Sequence, residues 1–335
     1  MNDMTPSPRP RSKRLRTTGI VVGAVLAAAA AGTAVRLAVG TDSSGDRAGC
    51  GGILADKLTK QALGGTYRSD LSCPELGGAV VKATVGGGGV HTLLQASAMK
   101  NVLLAVDNDI EKRGTPYVDP GLRAPLAEAL AQYTDVNVVL SDPTDSVYLD
   151  KSLPHSAPWK KKDGYHLSVA PESLVRVLRA VSDDPEAYAT VRGAQTRWEA
   201  ERLAGLSAGA EPVQLSVGAR ALGKLDGVAA DVRRGLSKGE AEAWNATMSE
   251  RLAAGASPVP DAKADLASHL ERGWRQGLAA VPVAERASAV EQQCARMLNL
   301  WAEGVHTARS RSDAAVNQCL GNAAGNRTRA EQMLR

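Results

Sequence analysis

Two short motifs in the sequence match motifs of serine enzymes. The first is GLSAG at residues 205–209, which fits the GxSxG pattern of a nucleophile elbow with Ser207 as the nucleophile. An elbow requires a buried strand before the serine, whereas residues 198–204 have a helical pattern and the residues that follow are typical of a turn. With 33 glycines in the chain, a chance match is unsurprising. An envelope serine hydrolase using Ser207 is therefore the alternative function, and the leading hypothesis is not an enzyme.

The second motif is SxxK, formed by Ser97 and Lys100. In penicillin-binding enzymes this motif is accompanied by SDN and KTG tripeptides, and neither occurs in this chain. A tetrapeptide with two fixed positions is expected about once by chance in a chain of this length. We therefore interpret Ser97 and Lys100 as part of a helix surface.

Metal and anion sites are also weakly supported. The run Lys160–Lys162 could bind an anion, but lysine runs of this kind more often lie in solvated loops. No CxxC spacing accompanies the histidines, which are scattered singly, and we expect them to lie at the surface or to cap helices. We predict no catalytic residue, no cofactor and no metal. The five histidines are His91, His155, His166, His269 and His306.

The cysteines carry more information. Their number is even, and in an exported chain that predicts disulfides. Four cysteines allow three connectivities, and their spacing favours the local pairs Cys50 with Cys73 and Cys294 with Cys319. The midpoint of the second pair falls beside His306, where the chain is expected to turn between two helices. A disulfide there would link the two helices as an antiparallel hairpin.

An apolar stretch near the N-terminus determines where the rest of the chain lies. Residues 19–35 hold no charge and follow five of the six basic residues found among the first 40. This pattern predicts a basic cytoplasmic tail at 1–18 and a transmembrane helix at 19–39 that acts as a signal anchor. The bulk of the chain would then be extracytoplasmic. A cleaved signal peptide, which would release the chain as a secreted protein, is the competing interpretation.

Composition excludes one class of partner. From residue 41 onward the chain holds 34 of the 40 lysines and arginines and 35 of the 36 acidic residues, so this part is nearly neutral. We therefore expect no nucleic-acid surface on it. The chain has no Phe and is rich in Ala, Gly and Arg, which indicates a high-GC, actinobacterial genome.

The remaining pattern predicts an all-α fold. Residues 40–52 are polar and rich in glycine and would form a flexible tether, followed by a helical region at 53–335. Four glycines at 86–89 predict a hinge, and residues 141–168 predict an irregular segment with a sub-boundary. The alternating stretch 135–140 would have no partner as a strand, so we interpret it as the end of a helix. Ser237 with Glu240, and Asp261, are the expected caps of two later helices.

Part of this helical region resembles a known group of proteins. Residues 173–195 contain SL, LR, VS, DPEAY and AQ in that order, within a wider pattern over 119–305. This pattern resembles the C-terminal helical region of large, uncharacterised Streptomyces proteins associated with WXG100-type (type VII) secretion. The resemblance implies an exported or envelope-associated helical protein and brings no catalytic residues. The WXG tripeptide itself is absent, so we expect export by the ordinary membrane route.

These observations together favour a single-pass membrane protein of the actinobacterial cell envelope. Its extracytoplasmic helical region would act as a binding or scaffold module for a protein partner, in a secretion-associated role. The anchor, the near-neutral exported region and the lack of a catalytic constellation are the basis for this hypothesis.

Overall fold

A computed structural model of the chain describes residues 49–335 apart from 87–89, 144 and 256. The predicted cytoplasmic tail at 1–18, the transmembrane helix at 19–39, most of the tether at 40–52 and most of the glycine hinge at 86–89 lie outside the described residues. Among the residues that are described, no helix is both long and apolar enough to cross a membrane.

Helices make up most of this part of the chain, as the sequence predicts. They are α1 Gly51–Ala55, α2 Lys57–Leu63, α3 Cys73–Thr84, α4 Leu93–Arg113, α5 Pro120–Ala131, α6 Thr134–Leu140, α7 Ser146–Asp150, α8 Pro171–Val181, α9 Pro185–Ala204, α10 Pro212–Leu215, α11 Gly218–Arg234, α12 Lys238–Ala253, α13 Leu266–Ala279, α14 Val283–Glu291, α15 Gln293–Gly304 and α16 Arg309–Met333. Two short strands, β1 Trp159–Lys161 and β2 Gly164–His166, interrupt the helical pattern.

Local capping chemistry sets most helix starts. Ser237 and Glu240 form the expected capping box of α12, with each side chain bonded to the other's backbone N–H. The prediction that Asp261 caps the next helix is wrong, because Asp265 accepts from the Ser268 N–H and caps α13. Asp261 instead accepts from the Lys263 N–H in the preceding turn.

The segment after α5 also differs from the sequence prediction. The alternating stretch 135–140 is helical, as expected, but it forms the separate helix α6 after a break at Tyr133. Residues 141–168 contain the helix α7 and an antiparallel hairpin, in which Trp159 pairs with His166 and Lys161 with Gly164. Gly164 has a φ of +129°, which a residue with a Cβ rarely adopts, so the hairpin depends on glycine at this position.

Both predicted disulfides form between local pairs. Cys50 and Cys73 have a Cα–Cα distance of 5.6 Å and join the start of α1 to the start of α3. Cys294 and Cys319 have a Cα–Cα distance of 6.4 Å and join α15 to α16. Residues 305–308 reverse the chain between these two helices, so the predicted disulfide-linked hairpin is confirmed.

Helix α11 lies at the centre of the packing and touches α16 over much of its length. Two glycines of α11 face α16 without a side chain between the backbones. A Cβ added at Gly227 would lie 2.6 Å from the Arg327 carbonyl oxygen and 2.7 Å from the Ala330 Cβ. A Cβ added at Gly223 would overlap the carbonyl group of Ala323. The two helices therefore approach as closely as their backbones allow.

Candidate functional site: the hairpin cleft

The β-hairpin covers one side of a cleft of about 390 Å³, which we call the hairpin cleft. Helices α6 and α9 form the other walls, and α7 contributes one aromatic ring. The size falls within the range of roughly 300 to 1,000 Å³ that small-molecule sites occupy. The lining residues are Thr134, Val138, Tyr148, Lys161, Asp163, His166, Trp198, Glu201 and Arg202.

A buried carboxylate organises the base of this cleft. Asp135 on α6 is 2% exposed and accepts three hydrogen bonds. The Tyr148 hydroxyl donates to it over 2.6 Å, the Leu167 N–H over 3.1 Å, and the His166 Nδ1 lies 2.7 Å away. Burial, with the nearby Asp135 charge, raises the pKa of Tyr148, so this phenol stays a donor. Asp135 therefore fixes α6, α7 and β2 to one another.

His166 is held between two carboxylates. Its Nδ1 faces Asp135, and its Nε2 lies 2.9 Å from an oxygen of Asp163 in the hairpin turn. An ionised carboxylate only accepts hydrogen bonds, so two such contacts require a proton on both ring nitrogens. The hydrogen bond with Asp135 raises the pKa of His166, and the hydrogen bond with His166 lowers the pKa of Asp163. The two hydrogen bonds and the directions of the two pKa shifts therefore all indicate that His166 is a protonated imidazolium.

The lysine run adjoins this cluster but does not act as one charged group. Lys161 lies 3.2 Å from Asp145, and its ammonium is 4.9 Å from the centre of the Tyr148 ring. Lys160 and Lys162 are exposed on either side of it. Trp159 packs edge-on against Tyr148, with ring centres 4.9 Å apart. Successive side chains of the run therefore point alternately to the solvent and to the aromatic rim of the cleft, as they do along a strand.

Most of the histidines lie as expected. His91 stacks on Tyr133 with ring centres 3.8 Å apart, His155 is exposed, and the Nδ1 of His269 contacts the Pro260 carbonyl oxygen at 2.8 Å. His166 is the exception, since it lies in the buried cluster. Within residues 49–335, apart from the gaps given above, no group of three or more His, Cys, Asp or Glu side chains could hold a metal ion.

The two serine motifs have different surroundings. Ser207 lies exposed in the turn after α9, and the residues before it are helical, so the strand that an elbow requires is missing there. The described contacts include no hydrogen bond between Ser207 and a histidine. The turn itself is tied to the α15–α16 connection, because the Thr307 hydroxyl donates to the Ala208 carbonyl oxygen over 3.1 Å.

The interpretation of Lys100 as a surface residue is wrong. Lys100 is 3% exposed, and its ammonium donates 2.8 Å hydrogen bonds to the carbonyl oxygens of Lys151, Leu153 and Ser156. Burial lowers its pKa to about 8. All three N–H donors are used, so Lys100 fixes the loop after α7 against α4. No local sequence signal could show this, because the three carbonyls lie more than 50 residues away.

Comparison of the chain with models of protein families, with curated proteins and with solved structures finds no match. The resemblance to secretion-associated helical proteins therefore stays a prediction from the sequence.

Raising the pH is expected to loosen the hairpin. Because the folded state raises the pKa of His166, its contribution to stability is complete below about pH 6.5 and is lost as the pH rises through the raised pKa. Asp163 acts in the opposite sense, since its contribution is lost as the pH falls through its lowered pKa. Hydrogen exchange of the Tyr165 amide, which donates to the His91 carbonyl oxygen, reports on the hairpin.

After correction for intrinsic exchange rates, the protection of the Tyr165 amide should fall as the pH rises above about 6.5, the ordinary pKa of histidine. The Met248 amide in the buried part of α12 serves as the internal control and should keep its protection. Equal protection of Tyr165 below and above this pH would show that the charge on His166 does not hold the hairpin.

Proposed function

We propose that this chain is an extracytoplasmic binding module, anchored by residues 19–39, that holds a protein partner on one face. We call this the hairpin face: the hairpin cleft together with the exposed side chains of Val90, Leu93, Leu94, Leu149 and Leu153. The observation that carries the proposal is that most of the exposed large apolar side chains that the structure describes lie on this one face. Eight large apolar side chains are exposed in the described part of the chain, and these are five of them.

Contacts between distant segments bring these five residues together. The Tyr165 N–H donates to the His91 carbonyl oxygen over 2.9 Å, and a Cβ at Gly164 would lie 3.1 Å from Val90, so the start of α4 touches the hairpin. Lys100 binds the carbonyl of Leu153, which ties the loop after α7 to α4. The hairpin, the first turns of α4 and the α7 loop therefore form one surface.

The chemistry of this surface suits a protein partner. Leu94 is 82% exposed and Leu149 is 58% exposed. Contact of such large apolar side chains with water is unfavourable, and a partner that covers them would remove it. Exposed groups of both signs lie on the hairpin of the same face, among them Lys160, Lys162 and Asp163. An apolar centre with a mixed polar rim is typical of protein–protein interfaces.

Two further observations support the location. Both disulfides are of the kind that persists in oxidising compartments outside the cytoplasm. The apolar stretch at 19–39 and the basic residues before it favour an anchor with the bulk of the chain outside. The resemblance in the sequence suggests a secretion-associated protein of the actinobacterial envelope as the partner.

The proposal is tested by placing charges on the hairpin face. The double variant Leu94→Asp/Leu153→Asp should fold normally, because both side chains are more than half exposed. Tagged full-length protein, crosslinked in native membranes and purified, should lose its main protein partner by at least about tenfold, equivalent to 1.4 kcal/mol of binding free energy. Quantitative mass spectrometry measures that recovery.

The matched control is Val213→Asp/Val283→Asp, which charges two exposed apolar residues on α10 and α14. This control should recover the partner as the unaltered chain does. Equal recovery from all three proteins, or loss from both variants alike, would contradict a binding role for the hairpin face.

A further inference from the structure

A second cleft, of about 350 Å³, lies between helices α5, α9, α12 and α13 and shares no lining residue with the hairpin cleft. We call it the arginine cleft, because three arginines line it. Its volume is close to that of the hairpin cleft. Its charged lining residues are Glu128, Arg197, Arg251 and Arg275.

One of the three guanidinium groups is fixed in place. Arg275 donates to Glu271 over 3.1 and 3.0 Å and to the Leu252 carbonyl oxygen over 2.9 Å, and its side chain is 15% exposed. Its Nη2 lies against Gly193, where an added Cβ would be 3.5 Å away. A guanidinium held in this way loses little conformational entropy when it binds a ligand.

The other two arginines are uncompensated. Arg197 and Arg251 are exposed in the cleft, and neither makes a hydrogen bond or ion pair with any residue that the structure describes. The other two arginines of α9 are paired, Arg202 with Glu199 and Arg192 with Asp226. Arg197 is thus the one arginine of α9 without a carboxylate partner among the described residues.

The surrounding residues leave this positive charge accessible. Glu128 is the one acidic residue of the lining and makes no ion pair with the described arginines. Alanines and glycines from α5, α9 and the turn after α12 form much of the rest, so no long side chain fills the space. From residue 41 onward the chain is nearly neutral. The positive charge of the cleft is therefore local and does not reflect a generally basic surface.

We propose that the arginine cleft binds a ligand that carries at least two phosphate groups. The planar guanidinium fork matches phosphate oxygens with two parallel hydrogen bonds, and the unpaired forks of Arg197 and Arg251 can each bind one phosphate. The ligand is either a free diphosphate-type compound or a phosphodiester polymer of the envelope, because both present the same oxygens. This site is separate from the hairpin face and does not depend on the proposed partner there.

The test is a calorimetric titration of the full-length protein in detergent at low salt. The probes are inorganic tripolyphosphate, for a free compound, and polyglycerol phosphate, for a phosphodiester polymer. Polyglutamate serves as the polyanion without phosphate. We expect at least one of the phosphate probes to bind at least tenfold more tightly than polyglutamate.

The variant Arg197→Gln/Arg251→Gln should weaken that binding at least tenfold while its melting temperature stays unchanged, since both side chains are exposed. Lys57→Gln/Lys82→Gln removes the same charge from exposed positions on α2 and α3 and should change binding less than twofold. Tighter binding of tripolyphosphate would assign the free compound, and tighter binding of polyglycerol phosphate would assign the polymer. No phosphate binding, equal binding of polyglutamate, or equal loss in both variants would overturn the proposal.

Discussion

Replacing Asp226 with alanine is expected to lower the free energy of unfolding by about 3 to 5 kcal/mol, because removing one partner of a buried ion pair leaves the other charge uncompensated. Arg192 has no exposed surface and pairs directly with Asp226, which connects α9 to α11. The Nη1 that pairs with Asp226 also donates to the Tyr188 hydroxyl, and Nε and Nη2 donate to the Gln293 side chain and the Val290 carbonyl oxygen, all over 2.9 to 3.0 Å. Those acceptors are neutral, so none of them replaces the lost carboxylate.

Urea denaturation followed by tryptophan fluorescence measures this change. The matched control is the double variant Arg192→Met/Asp226→Leu, which removes both charges together. Its loss of unfolding free energy should be smaller than the summed losses of the single variants Arg192→Met and Asp226→Leu, since neither charge is left alone in the core. If Asp226→Ala lost less than about 1 kcal/mol, the pair would not be buried as described.

The second large effect is expected at the contact of α11 with α16. Gly223→Ala should destabilise the protein by about 2 to 3 kcal/mol, because the new methyl group overlaps the backbone of Ala323 and forces the helices apart. For a chain of this size, that corresponds to a fall in melting temperature of roughly 4 to 12 °C.

Gly325→Ala on the facing helix is the matched control. A Cβ at Gly325 meets no atom within 4 Å, so alanine there should stabilise the helix by up to about 1 kcal/mol. A neutral result for Gly223→Ala, measured by thermal unfolding of both variants, would contradict the close backbone contact.

The helices were predictable because their signals are local. The capping box of Ser237 with Glu240 and the Asp-Pro start of α9 specify where a helix begins without reference to the rest of the chain. The misplaced cap at Asp261 follows from the same rule, since Asp261 and Asp265 lie one turn apart and both accept from backbone N–H groups. The local sequence alone therefore does not decide between them.

The hairpin was missed for a different reason. Its strands are three residues long, which is too short for an alternating pattern to stand out from a loop. The Asp163-Gly164 pair is a recognised hairpin signal and was the one clue in the sequence. The stability of this hairpin comes from Asp135, 31 residues before His166, so no local rule includes it.

The candidate site depended on non-local contacts even more strongly. His166 and Lys100 each look like ordinary surface residues in the sequence, yet both are buried and fully hydrogen-bonded. Their partners lie between 3 and 56 residues away, mostly on other elements. The disulfides were easier to predict, because an even number of cysteines at short spacing leaves few pairings.

Photo-crosslinking at position 94 tests the central claim most directly. A photoreactive residue replaces Leu94 in the full-length protein, and a second protein carries it at Val283, another exposed apolar position. Irradiation of intact cells followed by mass spectrometry identifies any neighbour. We predict a reproducible crosslink to one extracytoplasmic protein from position 94 and none from position 283. Equal crosslinking from both positions, or crosslinks only to cytoplasmic proteins, would contradict an extracytoplasmic binding module that uses its hairpin face.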